Sequence, residues 1–269
     1  MLGASGPLSS RPAPHLSTLP PVTTLTAPLA EDRLASVLEL ARTQQATLSV
    51  ADLAEHAGYS PFHFTRIFSA RLGIGPGQYL TALRIDAAKR MLLAQDDPVI
   101  DVACAVGFDS LSSFSRRFRS TVGVAPGQLR RLADRVADRP PRPFALLRPN
   151  PLGIRVHLSL PASAQVRGDA SVWVGWYPQP APFGLPRSGA LVSGAPHIDL
   201  PLCEGAPFLL GFLVPAHADP LDMLVPEQPL VAVHPAPLTA PGEVTLELTA
   251  DGPSDRPPLL SALPVLCRR

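Results

Sequence analysis

Two short segments of the chain carry cationic, hydroxyl and apolar side chains at the spacing of one helix face. The set consists of Phe62, Thr65 and Arg66 in the first segment and Leu111, Ser112, Ser115 and Arg116 in the second. A guanidinium can donate two hydrogen bonds to guanine, a hydroxyl can bind base edges or phosphates, and an apolar side chain can contact the thymine methyl group. Together these residue types permit the reading of base pairs in double-stranded DNA.

Both segments have the signals of short helices that begin at a serine. Ser60 is a typical N-cap, and Pro61 occupies the first helical position, where its missing N–H costs nothing. The pattern predicts one helix over about 61–72 and an equivalent helix over about 110–121 that begins at Ser110. Free backbone N–H groups at a helix start can bind phosphate, so Ser60, Pro61 and Ser110 join the candidate DNA-binding residues.

Apolar residues predict which side of each helix points into the protein. The inward stripes are predicted to be Phe64, Ile67, Phe68 and Leu72 in the first helix and Phe114, Phe118 and Val122 in the second. The outward faces then hold the candidates above, with Ser69 and Arg119. Two alternatives stay open at this point: the arginines are ordinary solvated surface, or Phe62 packs against Tyr59.

The two helices belong to an internal repeat whose offset is 49 to 50 residues. The matching segments include FTRIF at 64–68 and FSRRF at 114–118, then PGQ at 76–78 and at 126–128. Each unit is predicted to be two short helices joined by a glycine-containing turn, and a longer helix over 78–94 connects the units. This is helix-turn-helix geometry, and two such units could enter successive major grooves about 34 Å apart.

The second half of the chain has a different composition. Of the 34 prolines among 269 residues, 24 fall in 136–269. They separate short apolar or β-branched runs at 153–160, 171–177, 196–202, 208–214, 230–235 and 242–249. Such runs are typical of strands with proline at their ends and edges. The fold class predicted is therefore two-domain, an all-α double helix-turn-helix domain followed by an all-β sandwich.

The domain boundaries follow from these shifts in composition. We expect a disordered tail over 1–30, a helical domain over 31–133, a Pro/Arg-rich linker over 134–151, and a β-sandwich effector or association domain over 152–269. The formal net charge of +1 excludes a polycation that binds nucleic acid by bulk charge. A DNA site must therefore be a local patch.

Other classes of protein lack sequence support. Three widely spaced cysteines form no CxxC motif, and Cys104 is predicted to be a small buried residue. Neither a signal peptide nor a membrane-spanning segment is expected, so a reducing, cytoplasmic setting fits best. The motifs GxSxG, HExxH and GxGxxG are absent. We therefore expect no enzyme activity, no cofactor and no metal.

The helical region resembles the DNA-binding domain of AraC/XylS-type transcriptional regulators. The resemblance covers 31–133 and rests on the run GYSPFHFTRIF at 58–68, Arg84-x-x-x-Ala88, the block that starts DVACAVGFDS at 101, and GVAPGQ at 123–128. It implies a monomeric domain with two recognition helices. It also implies base or phosphate contact by Phe62, Thr65, Arg66, Leu111, Ser112, Ser115 and Arg116. Cys104 and the apolar Leu111 depart from the family pattern, and the domain comes first where most relatives carry it last.

The β-rich half resembles transthyretin-like and carboxypeptidase-regulatory-like sandwich domains, which implies interaction or sensing. Its Trp173, Trp176 and Tyr177 are predicted as core, with a ligand-stacking platform as the alternative. The expected partner is double-stranded DNA. RNA polymerase, a small-molecule effector and a second copy bound through the β domain are further candidate partners. The competing hypotheses are a ligand- or protein-binding β module whose helical half is an interaction platform, and a β-domain enzyme fused to a regulator.

Overall fold

The computed structural model describes residues 29–138, 142–161, 171–214, 224–226, 229–248 and 258–260, without the side chains of 136–138. Most of the predicted tail, residues 1–28, lies outside these ranges. Seven helices come first within the described part: α1 Glu31–Gln44, α2 Val50–His56, α3 Pro61–Leu72, α4 Pro76–Ala94, α5 Val99–Ala105, α6 Leu111–Val122 and α7 Pro126–Asp138. The predicted helical region is confirmed, with α3 and α6 as the two equivalent helices.

Serine caps and left-handed glycines set the ends of α3 and α6. The hydroxyl of Ser60 accepts a hydrogen bond from the backbone N–H of His63, and that of Ser110 accepts one from the N–H of Ser113. Gly73 and Gly123 end the two helices at φ of 72° and 100°, a conformation that glycine adopts without a steric penalty. Helix length in both units is therefore dictated by local residues.

The same aromatic pair packs at the centre of each unit. The ring centroids of Phe64 and Phe68 are 5.3 Å apart, and those of Phe114 and Phe118 are 5.5 Å apart. All four side chains are fully buried. Burial of one such ring stabilises the fold by roughly 1.5–3 kcal/mol, so this stripe holds each helix with its opposite side towards solvent.

In each unit, one arginine holds the loop that precedes the unit by hydrogen bonds to its carbonyl groups. Arg84 on α4 donates to the carbonyl oxygens of Gln45 and Leu48, at 2.7 and 2.8 Å. Arg130 on α7 donates to the carbonyls of Leu92, Gln95 and Asp97, at 2.6 to 2.9 Å. Because carbonyls after a helix end lack intrahelical partners, these bonds satisfy groups that would otherwise be unpaired.

Eight strands form the rest of the described chain: β1 Phe144–Leu146, β2 Gly153–Ser159, β3 Ser171–Tyr177, β4 Ser188–Ser193, β5 His197–Pro201, β6 Phe208–Val214, β7 Val231–Val233 and β8 Gly242–Glu247. A five-stranded antiparallel sheet has the order β1-β4-β3-β6-β7. A three-stranded sheet has the order β5-β2-β8, in which β2 and β8 run parallel. The six predicted strands are present, whereas β1 and β4 were not predicted.

The central strand β3 is buried on both faces. Val172, Val174 and Trp176 share a hydrophobic cluster with residues of both sheets, and Trp173 belongs to a second cluster on the other face. The indole of Trp173 lies over Gly175 and Gly189, where an added Cβ would come within 2.7 Å of the ring at both positions. The carbonyl of Val174 on β3 also lies against Gly189, so this position of β4 requires glycine and lacks the usual strand signal.

Segments of the β-rich region complete the hydrophobic core of the helical region. Ala181, Phe183, Leu224, Val225 and Leu260 belong to the same buried cluster as the helical stripes. The residues predicted as a linker, 134–151, contain the end of α7 and strand β1. The two regions thus share a packed interface.

The loop between β3 and β4, residues 178–187, contacts both helix-turn-helix units and is therefore named the bridging loop. Pro180 lies against Gly73 at the end of α3, and Leu185 lies against Gly123 at the end of α6. The N–H of Gly184 donates to the carbonyl of Thr121 on α6. The loop therefore docks on equivalent ends of the two repeated helices.

Candidate nucleic-acid interface

The outer face of α3, which carries Phe62, Thr65 and Arg66, is open to solvent. All three residues are exposed, and Phe62 has 82% of its surface accessible. The hydroxyl of Thr65 donates to the carbonyl of Pro61 at 2.8 Å, so its oxygen keeps lone pairs that can accept from a base amino group. This face offers apolar, hydroxyl and cationic groups side by side.

Phe62 does not pack against Tyr59. The ring of Tyr59 is stacked on His63, with centroids 5.1 Å apart, and the Arg33 guanidinium lies 5.4 Å from its centroid. The high exposure of Phe62 makes the packing alternative wrong. Its ring is available to a partner, and covering it would remove a large apolar surface from water.

The outer face of α6 carries Leu111, Ser112, Ser115 and Arg116. Leu111 is 41% exposed, Ser112 and Arg116 are also exposed, and Ser115 is half-buried. The Ser110 hydroxyl lies 3.0 Å from that of Ser113, which holds the first turn in place. This face has the same position in its unit as the outer face of α3, with more hydroxyl groups.

Neither α3 nor α6 contains an acidic residue. The first backbone N–H groups of a helix carry a partial positive charge, which an acidic residue in the first turn would offset. Pro61 and Ser110 are both exposed, so each helix start is accessible. An incoming phosphate therefore meets no carboxylate on either helix.

The predicted division between inward and outward residues holds for most positions. Phe64, Ile67 and Phe68 on α3 are buried, as are Phe114, Phe118 and Val122 on α6. Leu72, predicted inward, and Ser69, predicted outward, are both half-buried at the end of α3. These two lie at the edge of the stripe, where the helical period does not separate inside from outside.

Two predictions outside the interface have definite outcomes. Cys104 is exposed, so the prediction that it is buried is wrong: α5 buries Val102 and Ala103 and turns Cys104 to solvent. Trp173, Trp176 and Tyr177 are fully buried, so they are core and the stacking-platform alternative is wrong. A small residue beside an apolar stripe carries too weak a signal to place it on either side.

Sequence reasoning gave no role to Arg117, the neighbour of Arg116. It is exposed, but successive helical residues point about 100° apart, so it lies beside the outer face. The only signal was the doubled arginine within the second copy of the repeat, where the first copy has Ile67.

None of the helices in the described part of the chain is both long and apolar enough to cross a membrane.

Comparisons with known proteins place this geometry in a class. A family model described as a helix-turn-helix domain matches residues 53–132. Residues 53–132 thus form a helix-turn-helix domain of the AraC/XylS type, the class of domain found in transcriptional regulators. The resemblance stated from the sequence is confirmed for the helical region.

The relatives are regulators that share this domain. The HTH-type transcriptional regulator Rv1931c of Mycobacterium tuberculosis is 39% identical over 82 residues, which are 30% of this chain and 32% of that protein. The HTH-type transcriptional activator AarP of Providencia stuartii is 39% identical over 87 residues, 32% of this chain and 64% of that protein. The chain thus spans from about a third to under two thirds of the curated relatives that it matches.

One similar solved structure is the DNA-binding domain of AdpA, a global transcriptional factor, in complex with a target DNA. It is 32% identical, with a TM-score of 0.36, and the match covers 41% of this chain and 98% of that one.

Proposed function

We propose that the protein is a sequence-specific DNA-binding transcriptional regulator that reads two successive major grooves with α3 and α6. The observation that carries this proposal is a pair of identically capped helices, with buried aromatic stripes and exposed outer faces, inside a helix-turn-helix domain. Regulators that carry the same kind of domain support it. The proposed function requires no catalytic residue, and we place it in the cytoplasm.

In this proposal both outer faces contribute residues to DNA recognition. Arg66 and Arg116 contact base edges, and Thr65, Ser112 and Ser115 donate to or accept from bases or phosphates. Phe62 and Leu111 contact thymine methyl groups. The helix starts at Ser60, Pro61 and Ser110 receive phosphates, which fix the position of the helices without reading sequence.

The β-rich region is, in this proposal, a sandwich that senses an effector or associates with another protein. Support comes from the hydrophobic cluster that takes side chains from both sheets, with Val156 and Leu246 from one sheet and Val174 and Leu209 from the other. The domain division into 31–133 and 152–269 belongs to the same proposal. RNA polymerase and a second copy of the chain are its further proposed partners.

Selection from random DNA tests the proposed function. The full-length protein is bound to a pool of random duplexes at two salt concentrations, and bound duplexes are amplified and sequenced. We expect an enriched motif with two elements whose centres lie about 10 base pairs apart, one for each recognition helix. Affinity should fall steeply with salt, because phosphate contacts release counterions.

Two variants and one control make the selection specific. Arg66→Ala should relax the preference in one element of the motif and Arg116→Ala in the other. Arg155→Ala removes an exposed arginine from β2, where it pairs with Asp199 at 2.9 Å, and should leave the motif unchanged. No enrichment by the folded wild-type chain would contradict the proposal and favour the hypothesis that the helical half is a protein-interaction platform.

A further inference from the structure

A cleft of about 490 Å³ lies between the helical region and the bridging loop. Its walls come from the start of α4, the second half of α6, the bridging loop and Arg148. Pockets of 300 to 1,000 Å³ are the usual size for small-molecule ligands. The cleft is therefore large enough for an organic metabolite.

The cleft is cationic. Arg117, Arg148 and Arg187 all line it, and no aspartate or glutamate does. Arg148 is held in place by a bond from its Nε to the carbonyl of Arg187 at 3.1 Å. Arg117 and Arg187 make no side-chain hydrogen bond or ion pair with any residue that the structure describes. Three guanidinium groups around one cavity repel each other until an anion is bound between them.

The hydroxyl groups that line the cleft already donate within the protein. The hydroxyls of Ser120 and Thr121 donate to the carbonyl of Arg117 at 2.9 and 2.8 Å. The amide of Gln78 donates to that of Gln179 at 2.8 Å, which joins α4 to the bridging loop. The donors left for a ligand are thus mainly guanidinium N–H groups, whose planar fork matches carboxylate and phosphate oxygens.

The cleft touches the second recognition helix on the side next to its outer face. Arg116 lies on the outer face of α6, and the adjacent Arg117 lines the cleft. The bridging loop also contacts the ends of α3 and α6, through Pro180 and Leu185. A ligand bound to Arg117 and Arg187 would therefore tie the β-rich region directly to α6.

We propose that this cleft binds a small organic anion, a carboxylate or a phosphate ester, that acts as an effector by joining the bridging loop to α6. The binding itself stands on the cleft alone. Its effect on DNA rests on the function proposed above.

Calorimetric titration of the full-length protein tests the binding. The probes are citrate and inorganic phosphate at constant ionic strength, with glucose as a neutral control. We expect a saturable heat for at least one anion and none for glucose; which anion binds more tightly separates a carboxylate ligand from a phosphate ligand. Arg117→Gln and Arg187→Gln should each weaken binding about tenfold or more, because each removes charge-assisted hydrogen bonds.

Two further variants separate a specific site from general charge. Arg155→Gln removes an exposed arginine that does not line the cleft, and should leave the anion affinity within about twofold. Arg117→Lys keeps the charge but loses the fork, and should bind more weakly than wild type and more tightly than Arg117→Gln. Thermal unfolding of each variant shows that it is folded.

Several outcomes would overturn the proposal. One is that neither anion binds at millimolar concentration. Another is that Arg117→Gln and Arg155→Gln lose equal anion affinity. A third is an unchanged anion affinity in Arg117→Gln together with weaker duplex binding, since Arg117 would then be a DNA phosphate contact. Saturable anion binding without any enriched duplex would confirm the ligand site and contradict the DNA-binding proposal instead.

Discussion

The two helix-turn-helix units have the same interior and different exteriors. Each has a serine cap, a buried phenylalanine pair and a left-handed glycine at the end of its second helix. On the outside, α3 presents the exposed ring of Phe62, and its Arg71 is paired with Glu31 at 2.8 Å. On α6, by contrast, three arginines at 116, 117 and 119 are exposed.

The comparison shows that the residues that fix the fold lie on one face of each short helix, and that the exposed residues in which the two units differ lie on the other. The repeat keeps those residues that the core and the helix ends require, because a change costs several kcal/mol in the core and about 1 kcal/mol at a cap. Exposed positions are free to differ, since surface substitutions usually change stability by less than about 0.5 kcal/mol. We therefore expect α3 to contribute more apolar contact, and α6 more charge, to any polyanion that both helices touch.

The largest expected effect lies in the shared interior. Phe64→Ala and Phe114→Ala should each lower the free energy of unfolding by about 3–5 kcal/mol, because both rings are fully buried. Urea unfolding followed by circular dichroism measures the loss. Phe62→Ala is the control and should change stability by less than about 0.5 kcal/mol, since that ring is 82% exposed. A loss in one unit that is much smaller than in the other would break the equivalence of the two interiors.

The next effect concerns Lys89 on α4, the helix that follows the first unit. Lys89 is buried, and its Nζ donates to the carbonyl of Leu259 at 2.9 Å. Burial lowers the pKa of Lys89 from 10.5 to about 8, and nearby Asp86 only partly opposes this. Between these two pH values the unfolded chain binds the proton more tightly than the folded chain does, so the Lys89 contribution to stability rises with pH.

The change Lys89→Met should remove this pH dependence. Wild-type stability relative to the variant should increase between pH 7.5 and 10, by at most about 3 kcal/mol at roughly 1.4 kcal/mol per pKa unit. Urea unfolding of both proteins at several pH values gives this difference directly. A constant difference across the range would show that the Lys89 ammonium is not desolvated, and that the β-rich region does not cover α4 in solution.

Arg66 and Arg116 should have effects of intermediate size on DNA affinity. Replacement of either by alanine should cost about 1–3 kcal/mol on the selected duplex, and relax base preference at one position. Competition binding with duplexes changed at single base pairs measures both quantities. A uniform loss of affinity for every duplex would identify that arginine as a phosphate contact. The charge difference between α3 and α6 would then affect DNA affinity but not base preference.

The smallest effects are expected at the caps. Ser60→Ala and Ser110→Ala should each destabilise the protein by about 1 kcal/mol, because each leaves a backbone N–H without its acceptor. The Ser110 change should cost more, since its hydroxyl also bonds to that of Ser113. Thermal unfolding is the measurement, and Ser112→Ala, at an exposed position of α6, is the matched control. Equal stability of the Ser110 and Ser112 variants would contradict a capping role.

The helical region was predictable because its signals are local. Caps, helix-ending glycines and the phenylalanine stripes act within four residues, so the repeat alone yields α3 and α6 to within one residue at each end. In the β-rich region the same reasoning found six strands and missed β1 and β4. Strand β4 contains Gly189, where only glycine fits against the carbonyl of Val174 and the indole of Trp173 on the neighbouring strand β3.

The sequence by itself determined the two units, their inward stripes and the identity of the residues on their outer faces. The tertiary structure decided what lies against them: Leu259 on Lys89, the bridging loop on Gly73 and Gly123, and a cleft that both Arg117 and Arg187 line. The physical reason is distance along the chain. Residues three or four positions apart form a helix face, so a local pattern predicts it. These contacts instead join residues from about 60 to 170 positions apart, which a local pattern does not predict.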